Sequence, residues 1–108
     1  MSRKADMNKG NATVEAQMAK QLAALGSIPR LQLLRVLVRA GDSGLSVGQL
    51  LAATGLPAST QFHHLSALVD AGLVERHKEG KEIINRVNFL QVRNLSGYLL
   101  EDCCKGVP

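Results

Sequence analysis

Cysteines, prolines and aromatic residues are all scarce in this chain. There are two cysteines, and they are neighbours, Cys103 and Cys104. That excludes a disulfide-stapled secreted framework, which needs several spaced cysteines. Phe62, Phe89 and Tyr98 are the whole aromatic complement. A core must therefore come from Leu, Val, Ile and Ala, which suits packed helices. No apolar run approaches the roughly 18–20 residues of a membrane span. The opening residues show no secretory pattern of charged, apolar and small segments. The expectation is a cytoplasmic protein, with no membrane partner, whose thiols stay reduced. There is no nucleophile-and-base pattern, phosphate loop or pair of acids in a plausible cleft. The adjacent cysteines also lack the C-x-x-C spacing of thiol-transfer sites, so the chain does not read as an enzyme.

What is present is enough for one small domain: 108 residues with 45% hydrophobic side chains. A core this small is expected to lean on a second subunit, as a homodimer. The formal charge is +4. It is concentrated in residues 1–40, where Arg3, Lys4, Lys9, Lys20, Arg30, Arg35 and Arg39 face only Asp6 and Glu15. Across residues 57–88 the charges balance. Mild basicity is compatible with DNA binding and does not establish it.

Residues 1–12 are polar and aperiodic and read as a flexible N-terminal arm, followed by one domain over 13–105. Thr13 is a candidate cap for a first helix, whose stripe is Val14, Met18, Leu22 and Leu25. Ser27 and Pro29 open a second, with Leu31, Leu34, Leu37 and Val38 inward. Ser46 and Gln49 have capping-box spacing, and Leu45 and Leu50 are spaced as a hydrophobic staple, so a short third helix starts there and stops at Gly55. Leu56 and Pro57 lead into a fourth helix that stops at Gly72. Two strands, 73–78 and 82–88, flank a tight turn at Glu79 and Gly80. A fifth helix is expected over 89–105, with Val92, Leu95, Tyr98 and Leu99 on one face.

Short helix, tight turn, helix and two-stranded hairpin form the layout of a winged helix-turn-helix, a mainly α (α+β) fold that places one helix in the DNA major groove. At about 100° per residue, Ala58, Gln61, Phe62, Leu65, Leu68 and Val69 fall on the inward side of the fourth helix. Ser59, Thr60, His63 and Ala67 fall on the outward side, where small hydrogen-bonding groups suit base edges and phosphates. His64 and Ser66 lie on the flanks, suited to backbone contacts. Adjacent histidines point about 100° apart, so His63 and His64 are poorly placed to chelate one ion. Arg76, Lys78 and Lys81 lie on or beside the hairpin tip, where a wing meets phosphates or the minor groove. A winged helix used as a protein–protein module, without DNA, is the alternative of another class.

The segments ALGSIPRLQLLRVLV, LSVGQLLAATGLPASTQFHHLSALVDAGLV and EGKEIINRVN resemble the ArsR/SmtB family of winged-helix repressors over residues 24–88. The resemblance implies a homodimer built from the first and last helices, bound to double-stranded operator DNA and released by an inducer. In two places the chain departs from the family pattern. Gln61 stands where an aliphatic residue is usual, and Phe62 where a small polar one is common. Gln61 is therefore also a candidate for a base contact, and which of the two faces DNA stays open.

Family metal sites on the third helix need cysteines, and the chain reads LSVGQLLAA there. Those on the fifth helix need His, and residues 89–105 have none. Cys103 and Cys104 remain, and soft thiolates select thiophilic species. The family includes arsenic-responsive repressors with a similar CC-x-G ending. The resemblance implies a trivalent arsenical (arsenite, an organoarsenical or antimonite) as inducer at Cys103 and Cys104, with no constitutive cofactor. Monosubstituted trivalent arsenicals need two thiolates, whereas arsenite prefers three. Redox or reactive-sulfur sensing by the same pair, or packing at a dimer seam, remain alternatives.

Overall fold

The computed structural model describes the backbone of residues 2–107 and the side chains of residues 13–107. Five helices and three strands follow one another as α1 (Ser2–Leu25), α2 (Ile28–Ala40), β1 (Leu45–Ser46), α3 (Val47–Thr54), α4 (Ala58–Asp70), β2 (Val74–Glu79), β3 (Glu82–Val87) and α5 (Phe89–Leu100). This is a winged helix-turn-helix. The helical backbone reaches back to Ser2, so Thr13 lies within α1 and does not cap it. The arm expected over residues 1–12 has no described side chains.

Local chemistry accounts for the helix-turn-helix. The Gln49 N–H donates to Ser46 Oγ at 3.2 Å, and the Ser46 N–H donates to Gln49 Oε1 at 2.9 Å, completing the capping box. Leu50 is fully buried beneath it, and Leu45 packs against the same core. Gly55 closes α3 in the left-handed region, at φ 69°. Pro29 sits in the first turn of α2, whereas the Ser27 side chain makes no capping bond.

The sheet is antiparallel in the order β1-β3-β2. Its third strand was not expected: Leu45 pairs with Asn85 and Ser46 with Ile84. The wing hairpin pairs Val74 with Val87 at its base and Glu79 with Glu82 at its tip, around Gly80 at φ 63°. Gly44, at φ 67°, runs so close to β3 that a Cβ there would lie 2.5 Å from the Asn85 carbonyl oxygen.

The buried hydrophobic residues among those described are all Leu, Val or Ala. Two expected faces are corrected. α2 buries Leu33, Leu34 and Leu37 and leaves Leu31 and Val38 exposed. α5 ends at Leu100, short of the expected 105, and Leu99 stays exposed. Among the described residues no helix is long and apolar enough to cross a membrane.

Candidate nucleic-acid interface

Helix α4 presents four distinct sides. Leu65, Leu68 and Gln61 turn inward. Ser59 and His63 stand outward and exposed, as the spacing predicts. The flank carrying Thr60 and His64 is half-buried, and the Arg30 side chain of α2 reaches His64 there. The other flank, with Phe62 and Ser66, turns toward the wing, where Arg76 meets both.

Gln61 turns into the interior of the chain. It is 1% exposed, and its amide ties the two ends of α3 to α4. Thr54 Oγ1 donates to Gln61 Oε1 at 3.1 Å, and Gln61 Nε2 donates to the Val47 carbonyl at 3.4 Å. Polar partners at both ends of α3 hold this amide inside, where sequence periodicity left two orientations open. Its neighbour Phe62 is 64% exposed, so the aromatic does not fill the core. The Arg76 guanidinium carbon lies 5.0 Å from the Phe62 ring centroid, within range of a cation–π contact. Arg76 also donates to Ser66 Oγ at 3.0 Å, so its head is held between the wing and α4.

Arg30 Nε donates to His64 Nδ1 at 3.2 Å. Partial burial, then the charges of Arg30 and of His63, lower the His64 pKa below its ordinary value. The ring is therefore neutral near pH 7, and it accepts from Arg30. Arg30 was missed as a neighbour of the recognition helix, because only the packing of α2 on α4 brings it there.

At the wing, Lys78 and Lys81 are exposed and enter no ion pair among the described residues. Glu79 is matched by Arg86 at 2.8 Å, and Arg86 also donates to the Asp42 carbonyl at 2.9 Å. The pairing takes up one of the two acidic charges near the tip.

Cys103 and Cys104 lie beyond α5, in a turn where Asp102 and Cys104 have φ of 60° and 66°. Both are exposed, and their Sγ atoms are 2.9 Å apart. The hydrogen bond to Cys104 raises the Cys103 thiol pKa above its usual value. Among the described residues no group of three or more His, Cys, Asp or Glu side chains could hold a metal ion. The thiol pair stands apart from the α4 and wing residues.

A second polar network joins the terminal helices to the end of α4. Gln21 of α1 is fully buried. Its Nε2 donates to the Ala71 carbonyl at 3.3 Å and to Gln91 Oε1 of α5 at 2.9 Å. Gln17 Nε2 donates to the same Ala71 carbonyl at 3.1 Å. Neither glutamine carries a motif that marks it in the sequence.

A short capped helix, a tight turn, an outward row on α4 and a hairpin wing with two exposed lysines at its tip together define a winged helix-turn-helix of the transcription-regulator class. The helix-turn-helix domain family matches residues 30–77. The HTH-type transcriptional regulator YgaV of Escherichia coli (strain K12) is 35% identical over 68 residues, covering 63% of this chain and 67% of that protein. Among solved structures, the ArsR-like transcriptional regulator from Rhodococcus sp. RHA1 superposes with a TM-score of 0.72 at 29% identity, over 82% of this chain and 80% of that one. The homodimeric winged helix-turn-helix DNA-binding domain from Mycobacterium bovis does so with 0.65 at 27%, over 86% of each. The chain belongs to the ArsR family of winged helix-turn-helix transcriptional regulators.

Proposed function

We propose that this chain is a homodimeric, cytoplasmic repressor that binds double-stranded operator DNA and releases it when a trivalent arsenical binds Cys103 and Cys104. The observation that carries the inducer is the pair of exposed sulfurs 2.9 Å apart. With bonds from sulfur to a soft centre of about 2.3 Å, as for zinc, both can reach one atom. Phenylarsine oxide would react so that two S–H bonds give way to two S–As bonds. The oxide oxygen leaves with both protons as water, and arsenic stays trivalent.

DNA binding is supported by the exposed Ser59 and His63, by Thr60, His64 and Ser66 on the flanks, and by Arg76, Lys78 and Lys81 on the wing. Dimerisation is supported by the uncovered apolar residues Val14 and Leu22 on α1 and Leu90, Leu99 and Leu100 on α5. An arsenical at the end of α5 sits next to Leu99 and Leu100 in the chain. Gln21 and Gln91 link α1 and α5 to Ala71 at the end of α4, so a shift of α5 has a direct physical route to the recognition helix. A coupling of about 1–3 kcal/mol is enough to lower operator affinity roughly 5–150-fold.

Redox sensing is the second reading, favoured by the thiols lying in a turn and not within a helix. A peroxide would then join the two Sγ atoms by taking up two electrons and two protons, leaving as two waters.

Gel shifts with phenylarsine oxide, arsenite, antimonite, hydrogen peroxide and zinc separate these inducers. The expected result is release by phenylarsine oxide from the native dimer and none from the Cys103→Ser, Cys104→Ser variant. Release of the variant, or release by peroxide alone, overturns the arsenical reading. Capture uses thiolate, so below the thiol pKa its rate should climb about tenfold per pH unit. DNA binding that does not weaken with rising salt would instead favour a protein–protein module.

A further inference from the structure

Phe62 is the one large apolar side chain exposed on α4 among the described residues, on the flank that turns toward the wing. It stands one residue from His63 and shares the helix surface with Ser59 and Ser66. Its exposed ring offers apolar surface beside the hydrogen-bonding side chains of the same helix. The ring is not left loose: Arg76 lies over it at 5.0 Å, and Ser66 holds Arg76 at 3.0 Å.

Beside the ring is a cleft of about 100 Å³ between α4 and the sheet, lined by Phe62, Val47, Ala58, Ile83 and Arg76. Its volume is well below the ~300 Å³ at which small-molecule pockets begin. It suits a group no larger than a methyl-bearing edge. Its surroundings are a row of hydrogen-bonding side chains, a fixed guanidinium and the two free wing lysines, which together complement a polyanion.

We infer that Phe62 is a base-reading residue that places its ring against the 5-methyl group of thymine in the major groove. This rests on the DNA-binding reading above. The thymine methyl is the one apolar group on a base edge in the major groove, and a side chain such as Phe meets it by apolar contact. Gln61 is committed to α3 and cannot supply an amide reading at this place. The site therefore prefers thymine by shape and apolar contact, and its preference disappears with the methyl group. Arg76, over the ring and held by Ser66, restricts the orientations open to it.

The test uses the dimer of this chain and a duplex selected by it from a random pool. Thymines in the selected site are replaced one at a time by deoxyuridine, which differs only by the missing methyl. One thymine in each half-site should show affinity about three- to tenfold lower on replacement. The Phe62→Ala protein should bind the two duplexes equally. The inference is overturned if no thymine is sensitive, or if the sensitivity persists in Phe62→Ala. It is also overturned if Phe62→Ala binds more weakly while keeping the native ratio between the two duplexes. Failure to select any duplex removes the DNA reading itself, which separates the two failures.

Discussion

Gln61 uses both ends of its side-chain amide inside the helix-turn-helix, one toward Thr54 and one toward Val47. Truncating it removes the acceptor of the part-buried Thr54 hydroxyl and a second donor to the Val47 carbonyl. Gln61→Ala should therefore cost about 1–3 kcal/mol in urea unfolding. A variant that keeps its stability and loses only DNA affinity would mean that Gln61 reads bases after all. His64 offers a pH test at the same scale. Its pKa is lowered in the folded state from an ordinary value of 6.5, first by burial and then by Arg30 and His63. The unfolded chain then takes up the proton first as the pH falls. This residue's contribution to stability is complete above about 6.5 and is lost as the pH drops through the lower folded value. His64→Gln should flatten that part of the acid limb in a plot of urea midpoint against pH, and an unaltered limb would show that His64 does not couple to folding.

Among the elements, β1 depends on the approach of Gly44 to β3. Any Cβ at Gly44 would lie 2.5 Å from the Asn85 carbonyl oxygen, 2.6 Å from Arg86 Cγ and 2.9 Å from Ile84 Cγ2, on a backbone with φ of 67°. Gly44→Ala should cost roughly 2 kcal/mol or more, from left-handed strain and the clash together. Thermal unfolding measures the loss, and a neutral substitution would contradict the approach. The same region shows what the sequence discloses. The Ser46–Gln49 box and the Gly80 turn are local devices, so their residues announce them. β1 is two residues long and exists because β3 has an edge to fill, which depends on residues some forty positions away. In α2 the i, i+3 pattern admits Leu31 or Leu33 as the inward residue, and only the neighbouring helices decide for Leu33. Gln61 and Phe62 were ambiguous for the same reason. The thiol pair was legible as a pair, whereas the end of α5 at Leu100 and the positive φ at Asp102 and Cys104 were not.

At the scale of the whole molecule, several of the exposed apolar residues gather in two places. Phe62, Val47 and Ile83 gather at the cleft between α4 and the sheet. Val14 and Leu22 lie on α1, and Leu90, Leu99 and Leu100 lie on α5, with Leu99 58% and Leu100 69% exposed. A two-fold interface uses the same patch on both subunits, so one substitution places a charge on each side of it. Leu99→Glu should therefore yield a monomer in sedimentation experiments with its helical circular dichroism intact. Two recognition helices must reach half-sites about 34–36 Å apart, and joining them raises the local concentration of the second. The monomer should accordingly bind a full operator about 10²–10⁴-fold more weakly than the dimer, yet bind an isolated half-site as the dimer does. A Leu99→Glu protein that remains dimeric would move the interface off the end of α5. The neighbouring thiols would then have no subunit boundary to act on, and the proposed release of DNA would need a route within one chain.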